Sequence, residues 1–237
     1  MELAIIGYGR MGQEIENIAL QRGHSVSLII DVNNASDLNR KNLAGIDAAI
    51  EFSLPSTAFH NVSACLNYNT PVVSGTTGWT IDFENIKKLC ADNQTSFIHS
   101  SNFSIGVNLF FRLNAELAKQ MNKYDGYDVS IEETHHIKKL DAPSGTAISL
   151  AKGIINEHDS YSSWHKDIAG SGSIPVKSIR EGDVPGVHIV KWDSDIDSIS
   201  LIHNSKNRKG LAFGAVVAAE FIAKRVGVFT MEDVLEF

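Results

Sequence analysis

Gly7-Tyr8-Gly9-Arg10-Met11-Gly12 is the stretch that decides the fold of this 237-residue chain. It has the pattern G-x-G-x-x-G, follows a short apolar run at residues 3–6 and opens a segment with apolar residues at helical spacing. The first glycine of such a turn permits a tight bend, the second lets backbone approach a pyrophosphate, and the third lets helix and strand pack closely. Asp31 follows the next apolar run about 20 positions later, where a carboxylate would bind ribose hydroxyls. The stretch predicts a dinucleotide-binding turn, with an ordinary glycine-rich turn as the alternative.

The first hundred residues alternate short apolar runs with helical patterns. The apolar runs predict strands at residues 3–6, 26–30, 48–52, 71–74 and 96–98, and helical patterns lie at 10–21, 56–67 and 83–93. Strands that alternate with helices form βαβ units and a parallel sheet. We therefore expect an α/β domain with a Rossmann-type doubly wound parallel sheet.

The sequence pattern changes near Asn102. Helices are predicted at residues 106–122, 147–155 and 211–225, and strands at 128–133, 174–180, 188–192 and 198–203, whereas 159–172 is predicted to be a loop. Several of these strands alternate with period two, which is typical of an antiparallel or mixed sheet with one solvated face, or with a face buried in an oligomer. We predict a dinucleotide-binding domain at 1–103, completed by a C-terminal helix at 210–237, and an α+β mixed-sheet domain at 104–209.

The composition excludes several classes of protein. Lys and Arg number 21 against 28 Asp and Glu, a net charge of −7, which argues against a general nucleic-acid binder. No apolar run approaches the roughly 18 residues of a membrane span, and the first residues lack the pattern of a signal peptide. The two cysteines, Cys65 and Cys90, are too few for a disulfide framework. The expectation is a cytoplasmic globular protein without nucleic-acid or membrane partners.

Two polar loops follow the fourth and fifth predicted strands. They are Gly75-Thr76-Thr77-Gly78 and Ser100-Ser101-Asn102-Phe103. Doubly wound sheets bind ligands at the carboxyl ends of their strands, so both loops are candidate cofactor contacts. Ordinary polar loops are the alternative interpretation.

The densest polar segment is residues 132–147, which contains His135, His136 and Lys139 and ends in Pro143-Ser144-Gly145-Thr146 at a predicted helix start. Backbone N–H groups and hydroxyls at a helix start accept anions, and histidine and lysine supply acid/base groups and a positive charge. A solvated turn is one alternative. Metal binding by His135 and His136 is another, but adjacent residues of a strand point to opposite faces, so we expect no metal.

These motifs occur in one order and together resemble the 4-hydroxy-tetrahydrodipicolinate reductase family, also called dihydrodipicolinate reductases. The glycine turn, the Gly-Thr-Thr-Gly loop, residues 102–108 and the His-His-x-x-Lys-x-Asp-Ala-Pro-Ser-Gly-Thr string at 135–146 carry the resemblance. Arg180-Glu181-Gly182-Asp183, His188 and residues 229–235 are similar to the family's later motifs. The resemblance covers nearly the whole chain.

The resemblance implies a role for each matching residue. It implies an acid/base role for His135, a proton-donating role for Lys139, and substrate contacts at His136, Ser144, Gly145 and Thr146. It also implies a substrate that is a cyclic imine with two carboxylates, and a homotetramer built through the sheets of the second domain. The implied cofactor contacts are Gly7, Tyr8, Gly9, Arg10, Met11, Gly12, Asp31, Gly75, Thr76, Thr77, Ser100, Ser101, Asn102 and Phe103.

The implied cofactor is NADH or NADPH. The carboxylate of Asp31 would repel a 2′-phosphate, and no basic residue follows it directly, although Arg40 and Lys41 lie further along the chain. NADH is therefore the favoured expectation. A non-catalytic NAD(H)-sensing module and a different nicotinamide oxidoreductase on the same scaffold are the rival hypotheses, but neither explains the complete His-His-Lys string.

Overall fold

The computed structural model describes residues 1–167 and 170–236. The chain divides into two compact units, Met1–Ile105 with Lys209–Phe237, and Gly106–Arg208. Among the helices of the described residues, none is both long and apolar enough to cross a membrane.

Strands and helices are each numbered in chain order. The strands are β1 (Glu2–Ile6), β2 (Ser25–Ile30), β3 (Ala48–Glu51), β4 (Val72–Ser74), β5 (Ser96–His99), β6 (Asp128–His135), β7 (Ser163–Lys166), β8 (Ser173–Arg180), β9 (Gly186–Asp193), β10 (Ser198–Ser205) and β11 (Gly227–Phe229). The helices are α1 (Arg10–Gln21), α2 (Arg40–Leu43), α3 (Pro55–Asn67), α4 (Phe83–Asp92), α5 (Ile105–Met121), α6 (Gly145–Glu157), α7 (Lys209–Ile222) and α8 (Met231–Val234), and a 3-10 turn covers Ala35–Asp37.

The first unit is built on a six-stranded parallel sheet with the order β11-β5-β4-β3-β1-β2. Successive side chains of β1 enter opposite faces, so Leu3 and Ile5 join a core with α1 and α7, whereas Ala4 and Ile6 join a core with α3 and α4. Helices on both faces confirm the predicted doubly wound sheet. The strand order reverses between β1 and β3, which is the point where such sheets bind ligands.

The end of the chain completes this unit. Strand β11 pairs in parallel with β5, a sixth strand that the sequence patterns do not predict. Helix α7 packs so closely that a Cβ on Gly214 would lie 1.7 Å from the carbonyl oxygen of Phe103. Only glycine permits that approach, so the C-terminal helix is an integral part of the first core.

The second unit contains a mixed five-stranded sheet with the order β10-β9-β6-β8-β7. Strand β6 is antiparallel to β9 and parallel to β8, which confirms the predicted mixed sheet. One face of the sheet, with Val129, Ile131, Val190 and Trp192, packs against α5 and α6.

Strand β7 corrects one sequence expectation. Residues 159–172 are predicted to be a loop, but Ser163–Lys166 pair in parallel with β8 at the edge of the sheet. The prediction fails because Ser-Trp-His-Lys shows no apolar alternation, which an edge strand does not require. Residues 168 and 169 of the predicted loop lie outside the described residues.

Candidate functional site

The glycine turn joins β1 to α1 with a tightly packed backbone. Gly7 adopts a φ of +93°, and a Cβ there would lie 2.1 Å from the carbonyl oxygen of Phe52. A Cβ on Gly12 would lie 2.2 Å from the carbonyl oxygen of Gly7. Gly9 differs, since among the described residues no atom outside its chain neighbours lies within 4 Å of its Cβ position, and its φ of −77° is open to any residue. The first and third glycines are thus required by packing, whereas Gly9 leaves open space at the start of α1.

A crevice of about 300 Å³ opens beside this turn. Asp31 lies at its edge, exposed, directly after β2, and its backbone N–H donates to Asn34. The Tyr8 hydroxyl donates to Glu16, which ties the turn to α1. The described residues that line the crevice include neither lysine nor arginine; they are Ile6, Gly7, Tyr8, Gly9, Ile30, Asp31, Val32, Ala35, Phe52, Ser53, Leu54, Thr57 and Asn61. Of the remaining predicted turn residues, Arg10 is exposed and Met11 is half-buried.

A buried carboxylate shapes the loop after β4. Glu51, at the end of β3, is fully buried and accepts hydrogen bonds from the hydroxyls of Ser53, Ser74 (2.7 Å) and Thr76 (2.8 Å). The backbone N–H of Ser53 donates to Thr76 Oγ1 at 2.8 Å. These bonds join the ends of β3 and β4, so the candidate cofactor loop has a fixed conformation. The functional prediction from sequence did not include Glu51; the signal was a charged residue within the apolar run of β3.

The two candidate cofactor loops lie at the same edge of the sheet. A second cavity is lined by Gly75, Thr76 and Thr77 together with Phe52, whose ring would lie only 2.1 Å from a Cβ on Gly75. The loop after β5 is joined to β4 by the Ser100 N–H, which donates to the Ser74 carbonyl.

Within that later loop the predicted residues differ in exposure. Ser101 is exposed and Asn102 is half-buried, and the Asn102 carbonyl accepts from the Ser100 hydroxyl at 2.8 Å. Phe103 is buried in the core, with its ring 6.0 Å from that of Phe52.

In the second unit, the end of β6 meets the start of α6. Ser144 is buried and caps α6, since its hydroxyl accepts from the backbone N–H of Ala147 at 3.2 Å. The Ser144 backbone N–H donates to both carboxylate oxygens of Glu133, at 3.1 and 3.0 Å. Gly145 is exposed and Thr146 is half-buried at the first turn of the helix. Free N–H groups at such a helix start are suited to bind a carboxylate.

Glu133 is the centre of a buried polar cluster. It has no exposed surface; Arg180 Nη2 lies 3.1 Å from Oε1 and His135 Nδ1 lies 3.3 Å from Oε2. Burial by itself would raise the pKa of Glu133, but the contacts with His135 and Ser144 outweigh burial and hold the pKa well below its usual range. Glu133 is therefore an ionised carboxylate beside the predicted acid/base histidine.

His188 completes this cluster from β9. Its Nε2 lies 3.2 Å from the Ser144 hydroxyl and 3.8 Å from Glu133 Oε2, and its ring centroid lies 5.0 Å from that of His135. Burial, followed by the charge of His135, lowers the pKa of His188 to about 4. His188 is thus neutral near pH 7.

Lys139 lies in the loop between β6 and α6. Its Nζ lies 2.8 Å from Asp141 Oδ1, and that hydrogen bond lowers the pKa of Asp141. Arg180 donates to the carbonyls of Lys139 (3.4 Å) and Asp141 (2.6 Å) as well as to Glu133. One guanidinium therefore connects the lysine loop to the buried carboxylate. His136 is half-buried directly after β6.

Glu133, His135 and His188 carry donor atoms within 4.8 Å of one another, a set that metal ions also use. Both oxygens of Glu133 already accept from the Ser144 N–H, and the Arg180 guanidinium places a positive charge against the same carboxylate. A bound cation would have to displace the Ser144 N–H from the carboxylate, and the Arg180 guanidinium would repel it. The three residues therefore suit proton transfer and do not suit a resident metal. The absence of a metal remains a prediction.

The structure thus brings His135 and Ser144 into one cluster, with Lys139 connected to it through Arg180. In the sequence, Arg180 and His188 belong to motifs of the resemblance, but neither was given a role. Glu133 was given no role either. These residues are far apart in the chain, and only the register of β6 with β8 and β9 shows that they meet.

Comparison with known proteins agrees with these observations. A model described as dihydrodipicolinate reductase, N-terminus, matches residues 1–103, and one described as dihydrodipicolinate reductase, C-terminus, matches residues 106–235. A 4-hydroxy-tetrahydrodipicolinate reductase from Christiangramia forsetii is 47% identical over 237 residues, covering 99% of this chain and 98% of the relative. One from Thermosipho africanus is 31% identical and covers 100% and 98%.

A solved structure shares the fold. It is a dipicolinate-bound dihydrodipicolinate reductase from Paenisporosarcina sp. TG-14, with a TM-score of 0.82, 24% identity and 97% coverage of both chains. The matches to both halves and the full-length relatives confirm the resemblance seen in the sequence: the chain belongs to the dihydrodipicolinate reductase family.

Proposed function

We propose that this chain reduces 4-hydroxy-tetrahydrodipicolinate to tetrahydrodipicolinate with a reduced nicotinamide cofactor, in the diaminopimelate route to lysine. The full-length relatives are named for this reduction. The observation that carries the proposal is the buried cluster in which Glu133 contacts both His135, the proposed acid/base group, and Ser144, at the helix start proposed to bind an anion. A module that only senses NAD(H) would not require this cluster.

The first unit is proposed to bind the cofactor. The open space at Gly9 is where a pyrophosphate would meet the free N–H groups of α1, and the glycine turn therefore fits a dinucleotide. The loops at 75–77 and 100–103 would contact the nicotinamide half, because they lie at the carboxyl edge of the same sheet.

NADH is proposed as the preferred cofactor. Asp31 lies at the crevice edge, and none of the described lining residues is a cation that could bind a 2′-phosphate. The Arg40 guanidinium lies over the ring of Tyr68, 5.7 Å from its centroid, and so has a different contact. A carboxylate without a neighbouring cation favours ribose hydroxyls over a phosphate.

The second unit is proposed to bind the substrate and supply a proton. The substrate is a cyclic imine with two carboxylates; Ser144, Gly145 and Thr146 would hold one carboxylate at the start of α6, with His136 and Lys139 nearby in the loop. When bound, the nicotinamide supplies the hydride to the conjugated ring that loss of water produces. His135 or Lys139 would then protonate the electron-rich enamine.

We also propose a homotetramer that uses the open face of the second sheet. The strand register places Ile202 beside Ile189, and Val187 and Ile179 on either side of Thr134, on the face away from α5 and α6. Ile202 is 63% exposed. This apolar patch lies on a face that also carries the Glu132–Lys177 ion pair, and exposed apolar side chains of this kind are suited to pack against a second copy. Light scattering would show a tetramer, and Ile202→Glu would lower the mass; a wild-type monomer would contradict the proposal.

The two cysteines, Cys65 and Cys90, are buried free thiols, which agrees with a reducing compartment, and we propose a cytoplasmic location.

A coupled assay tests the proposed reaction. Dihydrodipicolinate synthase generates the unstable substrate in place, and the fall in absorbance at 340 nm reports oxidation of NADH or NADPH in parallel samples. Turnover with a higher kcat/KM for NADH is the expected result. Protein that binds NADH but turns over neither cofactor would favour the sensing module instead.

A further inference from the structure

The unexplained feature of the second unit is its buried carboxylate. Glu133 has no exposed surface, yet it is ionised and lies between a guanidinium, a helix-start N–H and an imidazole. A buried charge is costly unless every lone pair is used, so such a group is retained where it orders its neighbours. None of the roles proposed for the substrate site requires Glu133 to touch a ligand.

The contacts of Glu133 differ between its two oxygens. Oε1 faces Arg180, which also binds the carbonyls of Lys139 and Asp141, and Oε2 faces Nδ1 of His135. Nδ1 of His135 is buried and forms no well-aligned hydrogen bond among the described residues, so its 3.3 Å contact with Oε2 is a close ion-pair contact. Because one ring nitrogen is enclosed beside the carboxylate, the other, Nε2, is the atom available for proton exchange.

We infer that Glu133 is a positioning residue, which fixes the ring of His135 through Nδ1 so that Nε2 exchanges the proton with the substrate. The inference rests on the proposed reduction. Arg180 supports the carboxylate through Nη2, and the Nε of the same guanidinium donates to the Lys139 carbonyl and so helps to fix the lysine loop. The proton leaves Nε2 for the enamine that hydride addition creates, and solvent restores it after product release.

The charged and titratable groups around His135 come from several elements. Glu133 is on β6, Arg180 on β8, His188 on β9, and Lys139 in the loop before α6. His188 is neutral, and Lys139 pairs with Asp141. Among the described residues, Glu133 is therefore the negatively charged group that faces Nδ1 of His135.

The strand itself offers a matched control. Glu132 is the adjacent residue of β6, on the opposite face, and forms an ion pair with Lys177 at 3.0 Å. Glu132→Gln removes the same charge one position away without touching His135, and light scattering checks that the assembly proposed for that face is unchanged. Glu133→Gln keeps the size of the side chain and removes its charge, and Glu133→Asp keeps the charge but shortens the side chain.

The experiment measures kcat, both KM values and the solvent deuterium isotope effect on kcat for the wild type and these variants. NADH binding by fluorescence checks the first unit, and urea unfolding checks the fold of the second. We expect Glu133→Gln to lower kcat about 10- to 100-fold, to leave the dissociation constant of NADH within about twofold, and to increase the solvent isotope effect because proton transfer becomes slower. Glu133→Asp gives an intermediate kcat, and Glu132→Gln behaves as wild type.

Two results would overturn the inference: a folded Glu133→Gln with wild-type kcat, or a loss of kcat with an unchanged solvent isotope effect. If Glu133→Gln does not fold, Glu133→Asp decides by the same two criteria. An inactive wild type would refute the proposed reduction, whereas an active wild type with an equally active Glu133→Gln would refute only the role of Glu133.

Discussion

The substitution Gly9→Ala tests whether Gly9 is needed for cofactor binding or for packing of the protein itself. Apart from its chain neighbours, no described residue has an atom within 4 Å of the Cβ position of Gly9, and its φ of −77° and ψ of −159° are extended, so the chain itself accepts an alanine. Alanine is a poorer residue than glycine at a helix N-cap, by roughly 0.5 kcal/mol or more, but it restricts the unfolded chain by about 0.4–1 kcal/mol. The two effects oppose each other, so the free energy of unfolding should change by less than about 1 kcal/mol.

Cofactor binding should respond very differently. The added methyl group would occupy the space where a pyrophosphate approaches the N-terminus of α1. Loss of one charge-assisted hydrogen bond costs about 1.5–3 kcal/mol, which corresponds to a rise of about 10- to 100-fold in the dissociation constant of NADH. Fluorescence titration with NADH and urea unfolding of the same sample measure the two quantities.

Gly12→Ala is the matched comparison. Its Cβ would lie 2.2 Å from the carbonyl oxygen of Gly7, so helix and strand must separate, and we expect stability to fall by about 1–3 kcal/mol together with NADH binding. Wild-type NADH affinity in Gly9→Ala would refute the cofactor crevice. A stability loss in Gly9→Ala above about 2 kcal/mol would show that this glycine, too, is structural.

Four further predictions concern the remaining site residues. Gly145→Ala, also without a neighbour within 4 Å of its Cβ, should raise the KM of the substrate and leave NADH binding unchanged, as steady-state kinetics would show. Asp31→Ser should lower the NADH over NADPH ratio of kcat/KM by about tenfold, because a charge that repels a phosphate is removed; an unchanged ratio would exclude Asp31 from cofactor choice. Lys139→Ala should reduce kcat by about 100-fold or more, whereas the exposed neighbour Lys138→Ala should keep wild-type turnover. Burial lowers the pKa of His188 to about 4, so stability is present above its unfolded pKa of 6.5 and is lost as the pH falls towards 4; urea unfolding between pH 7 and 5 should show a smaller loss for His188→Asn than for the wild type.

The parallel sheet was predictable because its strands are short, nearly continuous apolar runs. Residues 3–6 and 48–51 are buried on both faces. The edge strand β2 is only half-buried and includes the exposed Ser27, but its other residues at 26–30 are apolar, which was enough to recognise it. Strands β7 and β11 were not predicted: both lie at the edge of their sheet, one is polar, and the other is a short run that begins with a glycine. Both are defined by the neighbours they pair with, which a local pattern does not reveal.

The site was predictable where its residues are consecutive. His135, Lys139 and Ser144 fall within ten positions, and the glycine turn within six, so their spacing can be recognised in the chain. Arg180 and His188 reach Glu133 only through the register of three strands. In the sequence, Glu133 is one of several charged residues in a polar segment. The sequence does not reveal that its side chain is buried, so it could not be singled out.

Each unit has a fully buried glutamate in the last three residues of a strand, close to the loop that carries its candidate ligand contacts. Glu51 accepts from Ser74 and Thr76 in the first unit, and Glu133 accepts from Ser144 and Arg180 in the second. A buried carboxyl group must have its oxygens hydrogen-bonded, so any movement of these loops that breaks a bond leaves a buried polar atom without a partner. The cost of about 1–3 kcal/mol or more per broken bond keeps the loops in one conformation before a ligand arrives, which lowers the entropy that binding must overcome. Replacement of either glutamate by glutamine should therefore loosen its own loop, and faster amide hydrogen exchange confined to residues 74–77 or to 139–146 is the signature that separates such ordering from a general loss of stability.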